Sequence, residues 1–196
     1  MGIDGLKVEE FAAYGLRVSA RPVQTMTVEE IGANPLGRLI DFQGFTFAAF
    51  PDQMLDAVRE EENYEMFGAA AAGPFHGALA LDRDGHVRFL VDAREVAEAD
   101  AEEIGELDGG IVNRSLEQFV SVFCLFISAH FRARAYPSAA AAVMEAAARE
   151  FVELAEQVEA GCTGPGRFWE QLAYELEDGM AHLARPLYDY IEAGRI

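Results

Sequence analysis

The sequence predicts an α+β protein: a mixed or antiparallel sheet with helices packed against it and a C-terminal half that is mainly helical. Three observations carry this. Strand-like patterns gather before residue 113, and helical spacing takes over after it. Two apolar runs flank Asp82-Arg83-Asp84-Gly85, a short Asp- and Gly-containing turn of the kind that closes a hairpin. At 196 residues, 51% hydrophobic and 25% charged, the chain has the size and composition of one globular domain over 1–196.

The elements follow in order. Val8, Phe11 and Ala12 give a short helical face that ends near Gly15. "RPVQT" reads as extended. "TVEEIGANP" forms a helical turn with Thr27 as cap and Glu30 three residues on, stopped at Asn34-Pro35. "RLIDFQGFTFAAF" is strand, broken around Gln43-Gly44. "PDQMLDAVREEE" is expected as a short helix opening at Pro51 or Asp52. Phe75 to Leu81 and Val87 to Val91 are the two arms of the hairpin.

An acidic connection, "REVAEADAEEIGELDGG", then leads to a short strand at Ile111-Val112. One helix runs from Ser115 to about Phe131. Ser115 caps it and Gln118 returns the bond, with Leu116, Phe119, Val120, Phe123 and Ile127 as the core face. A second runs from a cap at Ser138 to Gly161, with Val143, Ala147, Phe151, Leu154 and Val158 at helical spacing. After the loop "GCTGPG", Trp169, Leu172, Leu176 and Met180 mark a third, whose opposite side carries Glu170, Glu175, Glu177 and Asp178.

A net charge of -19 disfavours nucleic acid and anionic lipid as ligands and suits a basic protein partner met by electrostatic steering. Cys124 and Cys162 make no disulfide framework and read as free thiols of a reducing compartment. The N-terminus lacks a basic region followed by an apolar one. The longest apolar stretch, Phe119 to Ile127, is about half of the ~20 residues a bilayer span needs. A cytoplasmic location is expected, with no membrane partner.

No catalytic motif emerges. Asp82-x-Asp84-Gly85 lacks the spaced third ligand and closing Glu of a calcium loop. His76, His86, His130 and His182 are scattered without metal-site spacing. "GCTGPG" has no lysine and follows a helix, unlike a phosphate-binding loop. Asn113-Arg114-Ser115 matches a glycosylation sequon that a non-secreted chain does not use. No catalytic, cofactor-binding or metal-ligating residue is assigned, and an enzyme is not expected.

Three stretches together carry a resemblance. "LALDRDGHVRFLVD" is a strand–turn–strand before a variable connection. "IVNRSLEQFVSVF" is an apolar pair, Asn, then Ser-Leu opening onto an aromatic-bearing helix. "FWEQLAYELEDGM" is a closing helix with Trp and a terminal Gly. In this order they resemble the SUKH superfamily, most closely its fourth family of bacterial immunity proteins, over residues 64–180. Residues 181–196 form a C-terminal extension. The resemblance implies a protein that binds and neutralises a polymorphic or contact-delivered toxin, of nuclease or deaminase type, by stoichiometric contact. The alternative is a regulatory or scaffold module of the same superfamily. The residues expected to meet a basic partner are Glu98, Asp100, Glu102, Glu103, Glu106 and Asp108, with Glu60, Glu61 and Glu62.

Overall fold

The computed structural model describes residues 17–22, 39–42, 45–49, 53–99, 104–134 and 141–179. Eight strands and four helices lie in these segments: β1 (Arg17–Pro22), β2 (Leu39–Phe42), β3 (Phe45–Ala49), β4 (Gln53–Arg59), β5 (Glu62–Ala72), β6 (Phe75–Leu81), β7 (Val87–Val91), α1 (Ala93–Glu98), β8 (Ile111–Asn113), α2 (Leu116–Arg134), α3 (Ala141–Val158) and α4 (Phe168–Glu177). The α+β class is as the sequence predicts, and every ladder between the described strands is antiparallel.

The sheet runs β1-β4-β5-β6-β7-β8, with β3 also joined to β5 and β2 to β3. The long strand β5 organises it. One edge takes β4 along Glu62–Met66 and β3 at Gly68 and Ala69, while the other takes β6 from Glu65 to Ala72. The register shifts between Met66 and Gly68, a bulge at Phe67 that bends the strand.

The two faces of the sheet have different cores. Phe67, Leu79, Val87, Phe89 and Val91 meet Phe119, Phe123, Phe126, Phe151, Trp169 and Leu172 of the helices. Ala57, Met66, Ala78, Ala80 and Leu90, with Tyr64 beside them, make a second cluster on the other face. Trp169 is wholly buried at the helical centre, its ring 5.1 to 6.3 Å from those of Phe119, Phe126, Phe151 and Phe168. Such tilted and edge-on pairs suit the aromatic quadrupole. Gly77 makes room for the Phe89 ring: a Cβ there would lie 2.6 Å from both Leu90 O and Phe89 Cε2.

From Gln53 on, the expected helix is instead β4, the turn Glu60-Glu61 and the start of β5, and its expected opening at Pro51 or Asp52 lies outside the described residues. Met54, Leu55 and Val58 fit a helical period over a run too short to decide it. Pairing from Leu55↔Met66 to Arg59↔Glu62 settles the strand. The acidic connection opens with α1, whose Val96 N–H bonds Asp92 O. The expectations for Val8 to Gly15, for Thr27 to Pro35, and for Ser138 and Met180 lie outside the described residues.

"GGIVNRSLEQFVSVF" is a structural junction. Gly109 adopts φ +68°, and a Cβ on Gly110 would lie 1.9 Å from Glu106 O. Ser115 caps α2 by accepting the Gln118 N–H at 3.2 Å. The return contact is Ser115 Oγ to Gln118 Oε1 at 3.3 Å, not the expected bond to the Ser115 backbone. Asn113, fully buried, accepts from Trp169 Nε1 at 2.8 Å and donates to Glu159 Oε2 at 2.9 Å. Glu159 also accepts the Arg114 N–H at 3.0 Å. This chain joins β8, the end of α3 and α4, and it explains why Asn stands there. It also leaves the sequon asparagine no exposed amide to glycosylate.

Cys124, in the middle of the apolar run, is exposed, because the buried stripe of α2 is Phe119, Val122, Phe123, Phe126, Ile127 and His130. Cys162 is buried, and burial, with Glu156 and Glu159 nearby, pushes its thiol up to about 12. Among the described residues no helix is long and apolar enough to cross a membrane.

Candidate functional site

Antiparallel pairing sets where the loops gather. The β4–β5 and β6–β7 turns lie at one end of the sheet, and the β5–β6 turn lies at the other. The sequence scatters Glu60-Glu61-Glu62 and Asp82-x-Asp84 twenty residues apart, and the hairpins bring them together.

The β4–β5 turn has two residues, Glu60 at φ 50° and Glu61 at φ 72°. Two left-handed residues make the type I′ geometry that matches strand twist, usually filled by Asn-Gly. Two glutamates there store strain of roughly 1 kcal/mol each. Glu60, Glu61 and Glu62 are all exposed. Glu62 accepts the Tyr64 hydroxyl at 2.7 Å, and burial, reinforced by Glu62, pushes the phenol up to about 12.

The base of this turn is fastened across the sheet. Arg59 makes a two-point ion pair with Asp108, at 2.7 and 2.9 Å, and Asp108 also accepts the Val91 N–H at 2.9 Å. Arg59 lies on the face of the sheet that bears Ala57, and its ion pair ties β4 to the loop that follows α1.

The β6–β7 turn is the predicted hairpin. Gly85 takes φ +82°, and its N–H bonds Asp82 O at 3.0 Å. The Asp82 carboxylate receives the Asp84 and His86 N–H groups and Arg88 Nε, each at 2.9 Å. Burial pushes Asp82 up, but the bonds from His86, Arg88 and Asp84 outweigh it and hold the carboxyl below its ordinary value. Ligand atoms of Asp82, Asp84 and His86 lie within 4.8 Å of one another. The turn's own donors already occupy Asp82, so the geometry is that of a pinned hairpin.

Between the two turns lies a shallow hollow of about 210 Å³, bordered by Glu61, Glu62, Asp84, Arg83 and Arg88. A larger one of about 850 Å³ lies alongside, bordered by Asp56, Asn63, Tyr64, Glu65 and Arg83. Arg83 is exposed, with its Nε 3.8 Å from Asp84.

Comparison with known protein families, curated proteins and solved structures finds no match. The SUKH resemblance thus stands on the three motifs alone, and the site is read from its geometry.

The nine acidic residues expected at a binding surface separate into groups. Glu60, Glu61 and Glu62 form the exposed tip beside Asp84, which sequence reasoning had placed only in a turn. Glu98 is exposed at the end of α1. Glu106 is exposed, 3.5 Å from Arg167 Nε. Asp108 is turned inward to Arg59 and Val91 and serves the fold. Asp100, Glu102 and Glu103 lie outside the described residues.

Other carboxylates are also structural. Asp82, Glu156, Glu159, Glu170 and Glu175 each accept a backbone N–H from a turn or loop, and Glu95 and Asp108 accept those of His76 in β6 and Val91 in β7. Glu156 ties down "GCTGPG" through Gly161 and Thr163. The Thr163 hydroxyl, then the Gly161 N–H, hold its carboxyl below the ordinary value.

Proposed function

We propose that the protein binds and neutralises a basic toxin domain, of nuclease or deaminase type, as a SUKH-type immunity protein in the cytoplasm, without catalysis, cofactor, nucleic acid or membrane. The observation that carries this is the tip itself. Three consecutive exposed glutamates are presented on a strained two-residue turn, beside Asp84 of the neighbouring hairpin. The net charge of -19 adds a long-range field of the right sign to attract a cationic surface.

A toxin that handles nucleic acid presents lysines and arginines where phosphates sit, and an acidic inhibitor can occupy that surface. The strain at Glu60 and Glu61 fits the same reading. A sequence under selection for stability alone places Asn-Gly in such a turn.

Co-expression with basic nuclease and deaminase toxin domains, beginning with any encoded next to this gene, tests the proposal. Cells carrying the native chain are expected to grow, and cells carrying the Glu60→Lys/Glu61→Lys/Glu62→Lys chain at equal soluble level are expected to die. Equal protection by both would move the interface off the tip. Protection by neither would remove the immunity reading.

A further inference from the structure

We propose that Glu175 is a pH-operated latch fastening the C-terminal half of α4 to the β5–β6 turn. This turn lies at the opposite end of the sheet from the acidic tip, so the latch is independent of the binding proposal. The sequence pattern assigns Glu175 to the polar side of α4 with Glu170, Glu177 and Asp178. The structure buries it to 4% exposure among Trp169, Leu172, Ala173 and Leu176.

Its Oε1 accepts the Gly73 N–H at 2.9 Å. Its Oε2 is buried and has no partner among the described residues. One turn earlier on α4, the side-chain oxygen of Gln171 lies 3.3 Å from where a Gly73 Cβ would stand. Gly73 adopts φ +58°, which favours glycine. Glu175 thus holds the turn glycine by a hydrogen bond, and Gln171, one helical turn earlier, lies close beside it.

A buried carboxyl with one empty oxygen is accommodated best as the neutral acid. The proton sits on Oε2, and Oε1 still accepts from Gly73. Losing that proton leaves a charge with one hydrogen bond in an apolar wall, and hydrating it requires the end of α4 to part from the turn. No opposite charge offsets this among the described neighbours. The β5 segment from Gly68 through Gly73 carries only Gly and Ala, and Pro74 follows. His76 on β6 pairs with Glu95 at 2.9 Å. The α3 residues buried toward α4 are Ala147, Ala148, Phe151 and Ala155. On α2, Phe119 and Phe126 surround Trp169, and His130 is buried with interactions of its own. On α4 itself, Glu170 is bonded to Gly166, and Glu177 and Asp178 are exposed.

Burial raises the Glu175 carboxyl to about 7, against the opposing bond from Gly73. A group raised in the folded state stabilises fully below its unfolded value, and that stability is lost as pH rises through the folded value. The loss therefore falls between the ordinary carboxylate range, about 4.3, and about 7.

Urea unfolding of the wild type and of Glu175→Gln, read from about pH 5 to about pH 8, tests the latch. Gln keeps an acceptor for Gly73 and cannot ionise. The wild type's unfolding constant is expected to rise roughly a hundredfold more than that of E175Q over this range. Parallel profiles would overturn the proposal.

A second measurement needs no variant. Carboxyl-carbon NMR of the wild type is expected to show one Glu titrating near 7, with Gly73 amide protection falling over the same interval. If every Glu carboxyl titrates below about pH 5.5, where ordinary glutamates end, Glu175 is no latch.

Discussion

Replacing Asn113 with Leu tests the polar chain that joins β8 to α3 and α4. Leu has the same branching and opens no cavity, but its methyl groups would stand at hydrogen-bond distance from Trp169 Nε1 and Glu159 Oε2, so crowding adds to the lost bonds. Asn113 is 0% exposed, as is Trp169. The substitution leaves Trp169 Nε1 without its acceptor, at about 1–3 kcal/mol for an unpaired buried donor. It also removes a bond to the Glu159 carboxylate, worth roughly 1.5–3 kcal/mol. Glu159 keeps the Arg114 N–H, and Leu gains from burial, so a net loss of about 3 kcal/mol is expected. Trp169 is the only tryptophan, and its fluorescence during urea unfolding reports this site directly. In a Trp169→Phe background, which has no indole donor, the same substitution should cost about 1–2 kcal/mol less. Equal costs in both backgrounds, or a loss below about 1 kcal/mol, would refute the claim that Asn113 bridges Trp169 and Glu159.

Three further outcomes are expected. Thr163→Val removes a donor to Glu156, whose carboxyl the fold holds low. Stability from a lowered carboxyl is present above its unfolded value and lost as pH falls through the folded one, so the variant should lose about 1 kcal/mol at neutral pH and little in strong acid, by pH-dependent unfolding. Gly77→Ala forces a methyl against Leu90 O and Phe89, and should cost about 1–3 kcal/mol, each kcal/mol lowering Tm by roughly 2–4 °C in calorimetry. Glu60→Asn/Glu61→Gly supplies the residues the turn geometry favours, and should stabilise the chain by about 1 kcal/mol in urea while weakening toxin binding.

The helices α2, α3 and α4 were legible because their apolar spacing persists over several turns, whereas α1, six residues inside the acidic connection, was not. The hairpin was legible because Asp-Arg-Asp-Gly sits between two apolar runs. β5 was not, although it organises the sheet. Its Gly68-Ala69-Ala70-Ala71-Ala72 stretch has little strand propensity of its own. Those small side chains are tolerated because partners lie on both edges, which is tertiary information. β4 was misread for a related reason: a seven-residue run does not separate a period of 2 from one of 3.6.

The acidic residues were legible as a charge and illegible as a site. Asp108, Asp82 and Glu156 look like Glu60 in sequence. What distinguishes them is a backbone N–H that reaches Asp108 from β7, Asp82 from its own hairpin turn and Glu156 from the loop after α3. Glu175 reads as a surface position by helical spacing, and only the β5–β6 turn lying against α4 buries it. Part of the charge of -19 therefore pins turns and strands, while Glu60, Glu61, Glu62, Asp84, Glu98 and Glu106 are among those left exposed.

The most direct measurement is the association rate of the purified protein with a basic nuclease or deaminase toxin domain from which it protects cells, followed in rising salt for the native chain and the Glu60→Lys/Glu61→Lys/Glu62→Lys variant. The account predicts fast binding by the native chain that slows with salt, and at least a roughly tenfold slower rate for the variant at low salt. No complex, or a rate indifferent to both salt and charge reversal, would contradict it.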